Sequence, residues 1–302
     1  MNGLPDAGTK PAPPARRRWR TLRAAVLLAA LTLPVVGQSA PSEDAATPSA
    51  EPSVVVAPGK VVRWGGPGTT RCGLAGESWE PAGETCFYPL DLLAEAAAVT
   101  VERWAGDERR TARVRVGEYP YPVQHIELEN DSQVHLSPAD LERARRETAR
   151  VEALWSLRTP RRFALPLGPP LAKLPAGGRF GARRFFNGEP RSPHSGADYA
   201  APQGTPVLAV APGRVVLAAD HFFSGKSVFL DHGDGLLSMY FHLSGLAVAE
   251  GDEVDAGEIV GLVGTTGRAT GAHLHFGLRW RGARIDPADL LRSPDRLPAL
   301  GR

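Results

Sequence analysis

Eight histidines occur in the chain, at positions 125, 135, 194, 221, 232, 242, 273 and 275, and six of them fall between 194 and 275. Three short segments in that interval hold side chains able to converge. In His194-Ser195-Gly196-Ala197-Asp198 an imidazole and a carboxylate stand four residues apart, and Gly196 between them is expected to permit a tight backbone path. In His273-Leu274-His275 the neighbours of Leu274 emerge on one face of a strand, while Leu274 points to the core. In Tyr240-Phe241-His242 the same alternation predicts that Tyr240 and His242 project together and Phe241 packs inward. Catalytic zinc sites hold the metal through three protein ligands and keep a fourth position for water. Two histidines and one aspartate meet that requirement, and the remaining histidines supply a group to take a proton and a donor to steady an oxyanion. This is the residue inventory of metal-assisted hydrolysis.

The other histidines read differently. His232 lies in a turn-like Asp-His-Gly segment and is expected to be structural. His221, followed by Phe222 and Phe223, is expected in a surface loop, with the lining of a substrate groove as the alternative. His125 and His135 lie upstream of the cluster and are expected to be unrelated to a metal.

The elements that must position these groups are strands. Pro206 to Val210, Gly213 to Ala219, Ser227 to Asp231, Leu236 to His242, Glu258 to Val263 and His273 to Trp280 are short runs rich in Val, Leu, Phe and Tyr, separated by Gly or Asp. They predict an antiparallel sheet of consecutive hairpins. Five prolines and three glycines in residues 158–178 mark a boundary before this region. Upstream stands one clear helix, with Ser137 as N-cap, Pro138 at its first position and Asp140 in its first turn. Leu136 and Leu141 are placed for a hydrophobic staple, and Leu141, Ala144, Thr148, Val151 and Trp155 form its apolar stripe. Residues 53–128 alternate apolar stretches with Gly and Pro clusters, as in a small β-rich domain. The expected fold class is therefore mainly β: a C-terminal antiparallel sheet domain over 164–302, preceded over 53–160 by a β-rich accessory domain and one amphipathic helix.

The N-terminus reads as an export signal. Arg16, Arg17, Arg18, Arg20 and Arg23 precede an apolar run from Ala24 to Val36, shorter than the roughly 20 residues that span a bilayer, and Gly37, Ser39 and Ala40 offer small cleavage positions. An uncleaved anchor is the alternative; only in that case would this segment contact a membrane. Residues 41–52, rich in Ala, Pro, Ser and Glu, read as a flexible tether. Removing residues 1–40 changes the formal charge from +2 to near −3, which leaves no cationic excess for nucleic-acid phosphates. Nucleic acid is not an expected partner. Cys72 and Cys86 are the only cysteines, and in an oxidising compartment such as the periplasm or cell envelope they are expected to pair as a disulfide.

The span from about Phe180 to Leu291 resembles the lysostaphin/LytM-type zinc endopeptidases, whose pattern joins His-x-x-x-Asp, a later histidine and His-x-His. The surroundings match as well: Asn187-Gly188 and Arg191 before His194, Asp231-His232-Gly233 and Tyr240-Phe241-His242-Leu243-Ser244 in the middle, and Gly264-Thr265-Thr266-Gly267 before Gly271-Ala272-His273-Leu274-His275-Phe276. The resemblance covers a little over a third of the chain. Tyr121-Pro122-Val123-Gln124 more loosely resembles the accessory domain that often precedes such peptidases. Carried over by position, it implies that His194, Asp198 and His275 bind Zn2+ and that His242 and His273 act on water and the transition state. It also implies a lipoyl-like barrel-sandwich hybrid fold and a DD-endopeptidase-like activity on peptidoglycan stem peptides during cell-wall remodelling. Gly188 stands where some relatives carry a tyrosine, six residues before the first ligand, so Tyr240 and Arg191 remain as candidate transition-state donors. An inactive regulator of another wall hydrolase is the alternative, although all five residues are retained. A carrier module is a second rival, suggested by the hairpin rhythm of Gly251 to Gly261, which lacks a lysine at its tip. A regulatory protein partner is a further expectation.

Overall fold

Val, Ile, Phe and Tyr alternate with polar residues along most of the chain, and such segments form pleated strands whose two faces meet different surroundings. The computed structural model describes residues 51–128 and 134–301, in which the strands dominate. The predicted export segment and most of the tether lie outside the described residues. Among the described residues, no helix is long and apolar enough to cross a membrane.

The first part contributes β1 (Ser53–Val56), β2 (Val61–Gly65), β3 (Thr69–Leu74), β4 (Glu77–Trp79), β5 (Thr85–Pro89), β6 (Ala98–Ala105), β7 (Glu108–Val116) and β8 (Val123–Ile126). Five of these form a sheet in the order β1-β7-β6-β3-β4, and β2 pairs with β5. Cys72 on β3 and Cys86 on β5 lie with their sulfurs 2.07 Å apart, which links the two layers through their shared core. The helix α1 (Pro138–Glu152) starts where its cap signals place it, Ser137 accepting a hydrogen bond from the Asp140 amide at 3.1 Å. Its stripe is only partly used. Ala144 is buried, Val151 and Trp155 pack against Leu217, Phe229 and Met239, and Leu141 stays exposed.

The second part adds β9 (Arg183–Phe186), β10 (Glu189–Arg191), β11 (Gly196–Ala200), β12 (Pro206–Leu208), β13 (Gly213–His221), β14 (Gly225–Asp231), β15 (Leu236–Leu243), β16 (Gly245–Leu246), β17 (Glu253–Val254), β18 (Ile259–Leu262), β19 (His273–Trp280) and β20 (Ala283–Ile285), with the short helix α2 (Pro287–Leu290) behind them. The main sheet is antiparallel, in the order β11-β19-β15-β14-β13-β17, with β20 on β19; a smaller sheet runs β12-β18-β16. Each of the six expected runs contains a strand. The sequence pattern did not mark β9, β10, β11, β16, β17 or β20, which are short or carry charged residues and glycine. Val207, Val210, Val228, Leu230, Tyr240, Leu274 and Phe276 fill the core, which takes in residues of both sheets. On the other face of the main sheet stand Asp198, His275, Phe241, Met239 and Phe229, so one sheet carries a hydrophobic core behind and a polar site in front.

The described residues pack as one compact unit. Phe87 of β5 stacks on Trp280 of β19 with ring centroids 5.9 Å apart, and Val61 and Phe87 share the core of the main sheet. Lys60 bonds to Asp286 and Asp289, and the Leu300 amide donates to Arg63.

Candidate metal centre and active site

Antiparallel pairing sets the site. Asp198 on β11 lies directly opposite His275 on β19, and Phe241 on β15 lies opposite the same histidine from the other side. Side chains opposite one another share a face. Phe241 accordingly stacks flat on the His275 ring, with centroids 5.1 Å apart and planes 6° from parallel. His194 precedes β11 and is held by its own backbone, its amide donating to Ala182 and its carbonyl accepting from Gly181. His194 Nε2, Asp198 Oδ1 and His275 Nδ1 then form a triangle with edges of 2.9, 2.9 and 3.0 Å.

The chemistry of that triangle fits a cation. His194 Nδ1 is 2.9 Å from the Arg179 carbonyl, which can only accept, so this nitrogen carries the hydrogen and Nε2 presents a lone pair. Burial pushes the His275 ring down to about 4, against the opposing pull of Asp198, so it is neutral at neutral pH. Burial alone would raise the Asp198 carboxyl, but hydrogen bonds and charge from His194 and His275 hold it far below the usual carboxylate range. Two imidazoles and a carboxylate converging at these separations are the donor set of a three-ligand metal site. Among the described residues no other group of three such side chains comes together.

Gly196 makes the arrangement possible, though not by turning the chain. It lies in the extended strand β11, paired with Gly277, and a methyl group there would stand 2.6 Å from His275 Nε2 and 2.6 Å from the Phe276 carbonyl. The missing side chain makes room for the ring.

His242 reaches the site through a bulge. β14 and β15 pair Val228 with Tyr240 but Lys226 with Leu243, so β15 holds one extra residue, and His242 takes a left-handed φ of 64°. Such bulges re-aim side chains. Phe241 and His242 both reach the site as a result, and the ring of His242 lies 4.9 Å from that of His273. The simple alternation predicted from the sequence is therefore corrected. Phe241 faces the site, and Tyr240 lies in the core with its hydroxyl accepting from the Val210 amide at 3.1 Å and from Ser238 Oγ at 3.0 Å. His242 Nδ1 donates to the Thr266 carbonyl at 2.9 Å and His273 Nδ1 to the Gly271 carbonyl at 2.8 Å, so each ring has its Nε2 left over for the site. His273 Nε2 stands 3.8 Å from Asp198 Oδ1. Burial, then the charges of His275 and His273, push His242 down to about 3.

All five residues singled out by spacing thus meet at one place. Leu274 points into the core as expected. Neither suggested extra donor can serve. Tyr240 is buried on the wrong face, and Arg191 spends its guanidinium on the carbonyls of Val134 and Pro190. His232 is buried, bonded to the Pro212 carbonyl and Ser238, and pushed by burial down to about 4. His221 is not in a surface loop: it ends β13, buried, with Nδ1 2.7 Å from Ser227 Oγ, and it lines a cavity beneath α1. His125 stacks on Phe185, away from the triangle. The spacing gave no sign of Thr266 or Arg184. Thr266 sits in the quoted Gly-Thr-Thr-Gly segment, where the motif was legible but its hydrogen-bonding task was not. Arg184 lies on β9, half-buried, with its charge acting on Asp198 and His275.

Residues 192–287 match Peptidase family M23. Over 97 residues the chain is 44% identical to the DD-carboxypeptidase/endopeptidase Mpg of Neisseria meningitidis serogroup B, which covers 32% of this chain and 22% of that protein. Over 95 residues it is 42% identical to the peptidoglycan DD-endopeptidase ShyA of Vibrio cholerae, again covering 32% and 22%. The chain thus spans about a fifth of the length of these curated relatives. The likeness extends over most of the chain in a crystal structure from Pseudomonas aeruginosa described as a candidate M23 peptidase: 32% identity, TM-score 0.59, 78% of this chain and 94% of that one. A match of that extent, centred on the segment that builds the metal triangle, places the chain in peptidase family M23.

Proposed function

We propose that this protein is a zinc-dependent endopeptidase that hydrolyses peptide bonds of bacterial peptidoglycan, at cross-links between stem peptides, during cell-wall remodelling. The observation that carries this reading is the lone-pair triangle of His194, Asp198 and His275 with two further imidazoles beside it. Residues 164–302 carry the catalysis in this reading, and residues 53–160 form an accessory domain. Export to the periplasm or cell envelope agrees with the basic and then apolar N-terminus and with the Cys72–Cys86 pair.

His194 Nε2, Asp198 and His275 Nδ1 hold the ion. When bound, zinc supplies Lewis-acid polarisation of the scissile carbonyl and a more acidic attacking water. His273, closest to Asp198 of the two remaining rings, is placed to take the proton of that water at Nε2. His242, held neutral by burial, gives up a proton readily once it has one, which suits it to donate to the developing oxyanion or the leaving amine. The carbonyls of Thr266 and Gly271 fix the tautomers of both rings. An inactive regulator would have no use for these five groups.

The test is digestion of purified peptidoglycan with mass analysis of the fragments, using the wild type and His242→Ala. The variant is expected to bind zinc stoichiometrically and to lose at least about a hundredfold in hydrolysis, the usual contribution of a positioned acid or base. Folded protein that stays metal-free with excess zinc, or a variant as active as the wild type, refutes the assignment.

A further inference from the structure

Two of the three metal ligands are fixed by strand pairing, since Asp198 and His275 face one another across β11 and β19. His194 is not: it precedes β11, and its place is set by the turn Arg179-Phe180-Gly181-Ala182. Three bonds join the two. The His194 amide donates to the Ala182 carbonyl at 2.9 Å, the Gly181 amide donates to the His194 carbonyl at 2.7 Å, and His194 Nδ1 donates to the Arg179 carbonyl at 2.9 Å. The same Arg179 carbonyl accepts from the Ala182 amide at 3.0 Å, so one oxygen closes the turn and fixes the tautomer of the ligand.

The turn needs outside support to keep this shape. Arg179 has a φ of 65° and Gly181 a φ of 75°, and the left-handed state is unfavourable for arginine, persisting only where the surroundings impose it. That support comes from the accessory domain, at the connection between β7 and β8. The Tyr119 hydroxyl donates to the Gly181 carbonyl at 2.5 Å. Tyr121 lies so close to Gly181 that a methyl group there would stand 2.3 Å from its ring, and it meets Phe180 edge to face with centroids 5.6 Å apart. Tyr121 is itself pinned, its ring against that of Tyr119 and its hydroxyl donating to the Pro58 carbonyl at 2.6 Å. Just past the turn, the Arg183 amide donates to the Pro122 carbonyl at 2.9 Å. Phe180 and Ala182 are buried, so the turn is clamped between the accessory domain and the metal centre.

We propose that Tyr119, with Tyr121 packed beside it, is a positioning residue of the metal centre: it holds the turn 179–182 in the shape that aims His194 Nε2 at the ion, and the accessory domain thereby completes the zinc site. This rests on the metal-binding reading of the triangle and is independent of which peptide is cut. The route runs from the Tyr119 hydroxyl to the Gly181 carbonyl, and from the turn to the His194 ring through the Arg179 carbonyl. Groups one step behind a metal ligand govern affinity because they fix the direction of its lone pair.

Tyr119→Phe tests this, since it removes the hydroxyl and leaves the ring that packs on Tyr121. Zinc affinity, measured on the full chain by competition with a chromophoric chelator, is expected to fall about two- to tenfold, the fold-change that one hydrogen bond supports. In the metal-free protein, amide hydrogen exchange at Ala182 and His194 should become faster. Tyr88→Phe is the control for a purely structural role. It also removes a tyrosine hydroxyl bonded to a carbonyl, that of Glu102 at 2.7 Å, but in the core shared by the two accessory sheets, so it should lower the thermal unfolding midpoint and leave zinc affinity unchanged. A Tyr119→Phe protein that binds zinc as the wild type does, or loses no more affinity than Tyr88→Phe, overturns the proposal. Weaker binding without faster exchange at those two amides overturns it as well, because the effect would then bypass the turn. Wild-type protein that binds zinc but leaves peptidoglycan uncut removes the peptidase reading and keeps the positioning role; wild-type protein that binds no zinc removes both.

Discussion

Adding one methyl group at Gly196 should damage the metal site without touching a ligand. In Gly196→Ala the new Cβ meets His275 Nε2 and the Phe276 carbonyl at 2.6 Å each, whereas ordinary contact begins at 3.4 Å. Something must recede by about 0.8 Å to relieve the overlap. The Phe276 carbonyl belongs to a strand paired on both sides, with Ala197 and with Tyr240. The His275 ring is stacked on Phe241 and nearly buried, so it can yield only by tilting away from Asp198. Metal–ligand distances tolerate only about 0.2 Å. Overpacking of this kind costs about 1–3 kcal/mol. If that strain falls mainly on the zinc-bound state, affinity drops about five- to 150-fold at 1.4 kcal/mol per decade. Competition against a chromophoric chelator measures it, with thermal unfolding of the metal-free protein to follow residual strain. Gly271→Ala is the control, since a methyl group there has nothing within 4 Å, and it should bind zinc as the wild type does. A Gly196→Ala protein whose zinc affinity stays within about twofold of wild type refutes the steric argument, because even the low end of the overpacking range exceeds that change.

Other substitutions separate core from site. Tyr240→Phe removes the acceptor of the Val210 amide and strands a buried N–H, so denaturant unfolding should show a loss of about 1–3 kcal/mol with kcat unchanged. A tenfold fall in kcat at unchanged stability would put Tyr240 back in the chemistry. His232 supplies the pH dependence. Its folded pKa, pushed by burial to about 4, lies below the unfolded value near 6.5, so the unfolded chain binds the extra proton first. Its contribution is complete above about pH 6.5 and is lost as the pH falls towards 4, by up to about 3 kcal/mol. His232→Gln should flatten the stability profile across that window. An unchanged slope would show that other groups set the acid limit.

How much could be read from residue order differs from one part of the site to the next. His273-Leu274-His275 was legible because the period of a strand is two: once Leu274 is in the core, both histidines must face away from it. Ser137, Pro138 and Asp140 fixed the start of α1 by local hydrogen bonding alone. Where the period breaks, the reading failed. Tyr240 shares the core face with Leu236 by regular alternation, and the extra residue after it brings His242 to the site side together with Phe241; a bulge depends on the partner strand, not on the residues that form it. β9 and β10 were invisible for a related reason. Arg183, Arg184, Glu189 and Arg191 carry no apolar alternation, and these strands form by pairing with each other as a hairpin and, for β9, with β8.

The sequence by itself determined which side chains could bind a metal, and the spacing within each motif. Only the tertiary structure decided that they meet. His194 and His275 lie 81 positions apart, and their ring nitrogens come within 2.9 Å because β11 and β19 are neighbours in the sheet. Strand order depends on long-range packing of the core behind the site, which no local pattern records. Gly196 shows the same division: its type is plain in the chain, but its reason is the ring of a histidine that only folding brings beside it.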